Sequence, residues 1–200
     1  MRSRQLIALV TLAVGALAAV LIVTAASRRS SAGASSDFDG SLLPAGVRAP
    51  TFTLRDQDGR PVTMAQYRGR PVVATFLYSH CKDTCPVEAR LIAEAVQELR
   101  RPVAVLAFSV DPARDTGASV HAFMRRERIS APIRWVLGTE RQLQPIWKGY
   151  AILPQRADEE HMARIVLIDK RGFQRVGYPF DQTTPGRIAH DMRMLEQESS

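Results

Sequence analysis

The sequence predicts a single α/β domain in which helices cover both faces of a mixed central β-sheet, preceded by a transmembrane helix. Three observations lead to this prediction: an uncharged apolar stretch near the N-terminus, continuous apolar runs rich in β-branched and aromatic residues, and helical segments that alternate with those runs. About 150 of the 200 residues remain beyond the apolar stretch and a polar spacer, which is the size of one ordinary domain.

The uncharged stretch at 6–26 is long enough to cross a bilayer, because 21 helical residues at about 1.5 Å each span about 30 Å. A cleaved signal peptide is the competing interpretation, although its apolar region is usually about 7 to 15 residues long. We expect an uncleaved, single-pass membrane anchor, with the tail at 1–5 in the cytoplasm and the folded domain on the extracytoplasmic side. The small polar residues of 27–48 predict a flexible linker before a domain at 49–197.

The predicted domain starts with a hairpin, whose strands are 51–54 and 61–63. The apolar run 71–78 predicts a strand that is buried on both faces and leads directly to Cys81. The helix predicted after this strand has four apolar residues on one face: Val87, Leu91, Ala95 and Leu99. The remaining predicted elements are strand 103–110, helix 116–128, strand 133–137, helix 139–150, a hairpin of strands 165–169 and 173–178, and helix 184–197.

The net charge of +7 comes from arginines that are scattered along the sequence and form no stripe. This pattern is typical of a solvated basic surface. It does not predict nucleic-acid binding, because no segment interleaves clustered basic residues with stacking aromatic residues. A weak attraction to anionic lipid or to an acidic protein remains compatible with the charge.

Chemistry is predicted at two cysteines, Cys81 and Cys85, which stand between the buried strand and the following helix. A helix N-terminus favours negative charge, so we expect at least one of the two thiols to have a lowered pKa. The thiolate is the form that binds a soft metal or exchanges disulfides. A purely structural disulfide is the alternative, but a bridge that closes so short a loop stabilises little.

A longer pattern resembles one known family, the SCO/SenC copper chaperones. It consists of Cys81-x-x-x-Cys85-Pro86, with Asp83 inside this motif, Asp111-Pro-Ala-Arg-Asp-Thr116 after the next strand, and His161 eight residues before Asp169. The resemblance covers about 49–197. Lys82 and Thr84 depart from the proline and valine that the family often has inside the motif, and this departure concerns the choice of partner.

The resemblance implies a thioredoxin-like fold with an N-terminal membrane anchor. It also implies that Cys81, Cys85 and His161 bind copper, as Cu(I), Cu(II) or both. Two thiolates and one imidazole suit such a soft, low-coordinate site. The implied function is to deliver copper to, or to prepare the thiols of, the binuclear copper site on cytochrome c oxidase subunit II, or to serve another copper-accepting protein.

Two other functions are compatible with the same residues. The first is an extracytoplasmic thiol-disulfide oxidoreductase, in which Cys81 and Cys85 are a redox-active dithiol that stores no copper. The second is a peroxidase, because the segment 84–88 resembles the peroxidatic cysteine motif of peroxiredoxins. The peroxidase interpretation leaves Cys81 and His161 without a role.

Four polar residues near the motif have less specific roles. His80 either tunes the thiolate of Cys81 or serves as an alternative ligand, although its side chain need not face the site. Asp83 either caps the helix or makes a favourable contact with the helix dipole, or it influences copper entry or partner docking. Asp111 and Asp115 are expected to organise the turn after the second buried strand and not to touch metal.

Overall fold

The computed structural model describes residues 37–153 and 164–198. The chain divides into two units, 1–37 and 38–200, and the elements described in this section belong to the second. The described ranges contain eight strands and four α-helices. The strands are β1 (Ser41–Leu42), β2 (Thr53–Asp56), β3 (Pro61–Thr63), β4 (Val72–Leu77), β5 (Ala104–Ser109), β6 (Ile133–Leu137), β7 (Arg164–Ile168) and β8 (Gln174–Pro179). The helices are α1 (Thr84–Leu99), α2 (Gly117–Arg126), α3 (Glu140–Gly149) and α4 (Pro185–Gln197), with short 3-10 turns at Met64–Tyr67 and Phe180–Gln182.

One mixed sheet has the strand order β1-β8-β7-β4-β5-β6-β2-β3. Its centre, β4, β5 and β6, is parallel, whereas the flanking strands pair antiparallel. All six residues of β4 are buried, as expected for a strand that is covered on both faces. The predicted α/β class and mixed sheet are confirmed.

The core has two layers, one on each face of the sheet. Helices α1, α2 and α4 pack on one face, where Leu77, Ile92 and Phe123 are fully buried. Helix α3 and the 3-10 turn at Met64–Tyr67 lie on the other face, where Phe76, Phe108 and Tyr150 form an aromatic cluster. The aromatic rings bury large apolar areas, so the parallel centre of the sheet is stabilised from both sides.

The buried face of α1 differs from the predicted one. Val87 is 37% exposed and Leu91 is half-buried, although both were expected in the core. Ala95 and Leu99 are buried as predicted, and they share the buried stripe with Cys85, Glu88, Ala89 and Ile92. The apolar pattern was misleading because the buried stripe carries a carboxyl group, that of Glu88, which hydrophobicity alone would place in solvent.

The folded domain also begins earlier than predicted. Strand β1 pairs with β8, and the N–H groups of Asp39 and Gly40 donate to the buried carboxylate of Asp191 at 2.8 and 2.9 Å. Residues 38–48 therefore belong to the domain, and the predicted linker at 27–48 is too long at its C-terminal end. Edge pairing of this kind is not visible in the sequence, because two residues of strand carry no periodic signal.

The register of the central strands defines two ends of the sheet. Val72 of β4 lies beside Ala104 of β5, and Leu77 lies beside Ser109, so both strands finish at the same end. We call this the thiol end, because the cysteine loop follows β4 there. A ligand site is expected at the carboxyl ends of such parallel strands.

The predicted membrane span at 6–26 lies outside the described residues. Within the described ranges, none of the helices combines the length and the apolarity that a bilayer crossing requires.

Candidate metal centre

The two cysteines lie where β4 gives way to α1. Neither forms a disulfide, and both are buried: Cys81 is 3% exposed and Cys85 is fully covered. Cys81 belongs to the loop before the helix, and Cys85 is the second residue of α1. The fold therefore brings both predicted thiols to the thiol end of the sheet.

The sulfur of Cys81 takes the place of a conventional helix cap. The backbone N–H of Cys85 donates to Cys81 Sγ at 3.3 Å, which satisfies one of the orphan donors of the first turn of α1. Asp83 occupies the N-cap position, but its side chain makes no capping hydrogen bond. The expectation that Asp83 caps the helix is therefore wrong, because the sulfur already accepts from the first turn.

The two thiols have opposite electrostatic environments. A hydrogen bond from the Cys85 thiol, further bonds from the backbone N–H groups of Cys85 and Asp83, and the Tyr78 hydroxyl lower the pKa of Cys81 to about 4, despite its burial. Burial in the apolar core raises the pKa of Cys85, and the neighbouring charge of Cys81 raises it further. At neutral pH the pair is one thiolate and one thiol that donates to it.

Tyr78 is a site residue that the sequence did not reveal. Its hydroxyl is hydrogen-bonded to Cys81, and burial together with this bond raises the pKa of Tyr78. In the sequence Tyr78 is only the last aromatic residue of an apolar run, which predicts core packing. Its position three residues before Cys81, at the end of the strand, was the available signal.

Asp115 holds the loop that presents Cys81. One carboxylate oxygen accepts from the N–H of Ser79 at 2.8 Å and from the Ser79 hydroxyl at 2.6 Å, and the other accepts from the Ser109 hydroxyl at 2.5 Å. Burial raises the pKa of Asp115, although these three bonds oppose the shift. The expected role of Asp115 in organising the turn is confirmed. Asp111 accepts from Arg114 at 2.5 Å and lies at the same turn.

Glu88 is a buried carboxyl group one turn beyond Cys85 on α1. It is 1% exposed; one of its oxygens accepts from the hydroxyl of Thr75 in β4, and the other has no hydrogen-bond partner. Burial, with a further contribution from the charge on Cys81, raises the pKa of Glu88 to about 7. Strongly shifted pKa values cluster at functional sites, so Glu88 is a candidate site residue.

Of the two histidines considered as copper ligands, His80 and His161, the structure describes only His80. His80 is exposed, and its Nδ1 lies 3.1 Å from the Ser79 hydroxyl, so it belongs to the Ser79–Asp115 group. His161 lies outside the described residues. Its predicted role as a ligand therefore stays a prediction.

The donor set at this site suits a soft metal. Two sulfur atoms lie close together, one already ionised, among the apolar side chains of the core. Soft thiolate ligands favour Cu(I) over hard cations such as Mg²⁺. The same pair can also form a disulfide without metal.

Known proteins with related sequences share this domain. The family model described as SCO1/SenC matches residues 44–197. The mitochondrial SCO2 homologue of Mus musculus is 31% identical over 144 residues, which are 66% of this chain and 56% of that protein. The mitochondrial SCO2 homologue of Bos taurus is 28% identical over 130 residues, 60% of this chain and 48% of that protein. The chain thus spans about half the length of these curated relatives.

A shorter match connects the chain to a different class of thiol protein. Chloroplastic peroxiredoxin Q of Oryza sativa subsp. japonica is 38% identical over 69 residues, which are 34% of this chain and 32% of that protein. This likeness is too short to assign the chain to peroxiredoxins.

Solved structures with the same fold include Bradyrhizobium japonicum ScoI with copper bound. Its TM-score is 0.63 at 25% identity, and the match covers 74% of this chain and 99% of that chain. BsSco, a member of the Sco family of cytochrome c oxidase assembly proteins in which a disulfide switch was identified, has a TM-score of 0.68 at 19% identity, with 78% of this chain and 97% of that chain covered. The fold is the thioredoxin-like fold of Sco proteins, and this chain belongs to the SCO1/SenC family.

Proposed function

We propose that this protein is a membrane-anchored copper-binding protein that delivers copper to, or prepares the thiols of, the binuclear copper site of cytochrome c oxidase. The observation that carries the proposal is the pair of buried, unbridged cysteines, one of them a thiolate, at the thiol end of an SCO1/SenC domain. The copper in the B. japonicum relative and the cytochrome c oxidase assembly role of BsSco's family support it.

In this proposal Cys81, Cys85 and His161 hold the copper, which is cargo. Cys81 binds first as the ready thiolate, and Cys85 loses its proton as its sulfur joins the metal. The Asp115 network keeps the loop of Cys81 in place while this happens. The proposed recipient is subunit II of cytochrome c oxidase or another copper-accepting protein. No nucleic acid takes part.

The proposal includes the membrane topology predicted from sequence. The helix at 6–26 anchors the chain, the tail at 1–5 stays in the cytoplasm, and the domain works on the extracytoplasmic side. Resistance of the full-length protein to alkaline extraction from membranes, together with protease access to the domain only from the extracytoplasmic side, tests this topology. Release of the intact chain by alkaline washing contradicts it.

A copper titration of the reduced protein tests the metal site. We expect one copper per chain, and a loss of copper affinity of about a hundredfold or more in each of Cys81→Ala, Cys85→Ala and His161→Ala. Removing even a residue that only hydrogen-bonds to a metal ligand lowers metal affinity by about 10 to 100-fold, so removing a ligand itself should cost at least as much. His121→Ala is the matched control, because the His121 side chain is 44% exposed and its Nε2 bonds to Asp58 at 2.9 Å. Stoichiometry near zero in the wild type, or an unaffected His161 variant, contradicts the proposed site.

The second candidate is a thiol-disulfide oxidoreductase, and the unequal thiols favour it specifically. An exchange reaction needs one thiolate to attack and a second thiol to resolve the mixed disulfide, which matches Cys81 and Cys85. Reduction of a disulfide substrate by the copper-free protein, at rates that copper loading does not change, supports this function over copper delivery. Peroxide turnover by the same protein would support the peroxidase interpretation.

A further inference from the structure

The end of the sheet opposite the thiols is strongly basic. At this end β4 and β5 begin and β7 finishes, because Val72 lies beside both Ala104 and Ile168. The loops that meet here are 45–52, 68–71, 100–103 and 169–173, joined by bonds such as that from Gly69 N–H to Lys170 O at 2.9 Å. We call this region the basic end. Its cations are Arg48, Arg68, Arg70, Arg100, Arg101, Lys170 and Arg171.

Some of these cations already have partners: Arg101 pairs with Glu196, Arg171 lies 3.8 Å from Asp169, and the Lys170 ammonium donates to the Glu198 carbonyl at 2.9 Å. Asp169 is the only acidic residue in the four loops, and it is 3% exposed. Its carboxylate accepts from the N–H groups of Arg171 and Phe173, both at 2.9 Å, and lies 3.3 Å from Arg175 and 3.8 Å from the Arg171 guanidinium, so it offsets one of the positive charges. Among the described residues, Arg48, Arg68 and Arg70 have no ion pair. The thiol end differs, because there Asp83 and Glu140 stand beside Lys82 and Arg141.

The cations at the basic end are also oriented. The guanidinium groups of Arg48 and Arg171 both lie over the ring of Phe173, at 4.3 and 5.6 Å from its centroid. Together with Arg68 they line a cleft of about 110 Å³. A planar guanidinium donates two parallel hydrogen bonds to a phosphate, and stacking on a ring reduces the conformational entropy lost when it does so.

We propose that the basic end binds the phosphate headgroups of anionic lipid, so that the domain rests on the membrane with its thiols facing away. The choice of the membrane as partner depends on the membrane anchor of the proposed function. That anchor keeps the domain within reach of the bilayer and makes weak contacts effective. Each arginine near an anionic surface strengthens binding roughly fivefold. Strand β4 alone separates the two ends by roughly 20 Å. An incoming protein can therefore reach the cysteines while the opposite end holds lipid.

Vesicle binding by the domain 38–200, without the anchor, tests this proposal. This part folds on its own, since the solved B. japonicum chain is covered over 99% of its length by the matching domain. We expect sedimentation with phosphatidylcholine vesicles that contain phosphatidylglycerol, none with pure phosphatidylcholine vesicles, and loss of binding in high salt. Absence of binding to the anionic vesicles at low salt overturns the proposal and favours an acidic protein partner.

Charge-matched double variants separate a local site from net charge. Arg48→Gln with Arg171→Gln should weaken binding to the anionic vesicles roughly 25-fold. Arg55→Gln with Arg141→Gln removes the same charge from the thiol end and should change binding less than about twofold. Equal losses in the two pairs overturn the proposal. If circular dichroism shows that the first pair is misfolded, Arg68→Gln alone replaces it, with an expected loss of roughly fivefold.

Two outcomes distinguish this inference from the proposed function. A domain that binds no copper but sediments with anionic vesicles leaves the lipid contact intact and contradicts the copper site. A domain that binds copper but does not sediment with anionic vesicles leaves the copper site intact and contradicts the lipid contact.

Discussion

Replacement of Cys85 by alanine should move the ionisation of Cys81 to higher pH. The Cys85 thiol is the largest single contributor that lowers the pKa of Cys81, and alanine removes this donor while leaving the backbone N–H that also donates to the sulfur. The variant therefore separates the side-chain contribution from that of the helix N-terminus. Thr84→Ala is the matched control, because Thr84 Oγ1 lies 3.8 Å from the same sulfur, beyond a strong hydrogen bond.

The size of the effect follows from the wild-type pKa of about 4, against 9.0 for an unperturbed cysteine. At pH 5 an ordinary thiol is ionised in roughly one molecule in 10,000, whereas Cys81 is mostly thiolate. A thiolate of lower pKa is also a weaker nucleophile, by roughly a hundredfold or somewhat more for this shift. The net expectation is alkylation about fiftyfold faster than that of an ordinary thiol of equal exposure at pH 5, and near parity at pH 7.

The assay is the rate of iodoacetamide labelling of Cys81 across pH, read by mass spectrometry, with ultraviolet absorbance of the thiolate as a second measurement. Because Cys81 is only 3% exposed, its burial also lowers the absolute labelling rate. The pKa of Cys81 is therefore read from the midpoint of the pH profile. A wild-type midpoint near 9, or the same midpoint in Cys85→Ala, refutes the reasoning. We expect Thr84→Ala to keep the wild-type midpoint.

Two further predictions concern the buried acids. Burial raises the pKa of Glu88 to about 7, so between about pH 4.5 and pH 7 the folded state keeps a proton that the unfolded state has lost. As the pH rises from about 4.5 to above 7, the free energy of unfolding of the wild type should therefore fall by about 3 kcal/mol relative to that of Glu88→Gln. Denaturant unfolding of both proteins at several pH values measures the difference, and a difference independent of pH contradicts the prediction. Asp115→Ala removes the acceptor of the Ser79 N–H and hydroxyl, and should lower copper affinity by about 10 to 100-fold. Asp111→Ala is its control, and equal losses in the two variants argue against a positioning role for Asp115.

Several features could be predicted from the sequence because their causes are local. The runs before Cys81 and around 104–109 had to be buried strands, since continuous β-branched and aromatic residues have no polar face to present to water. The later hairpin and the last helix were predicted to within one or two residues for the same kind of reason. The position of the cysteine pair between a strand and a helix was also predictable from the sequence.

Other features depended on distance in space and were not predictable. The sequence showed that Cys81 and Cys85 are four residues apart, but which of them is the thiolate is decided by burial, by the donor geometry of α1 and by Tyr78. Nothing in the sequence marks Glu88 as buried, whereas packing against Thr75 of β4 places it in the core.

The sequence by itself determined the class of fold, the position of the thiols and the family, because these depend on residue type and spacing along the chain. Only the tertiary structure decided how charge is distributed. The arginines are scattered in the sequence, yet the register of β4 with β5 and β7 gathers loops from four separate regions at one end of the sheet. Electrostatic interactions act through space, so a chain that looks evenly basic folds into a domain with a basic end and a thiol end.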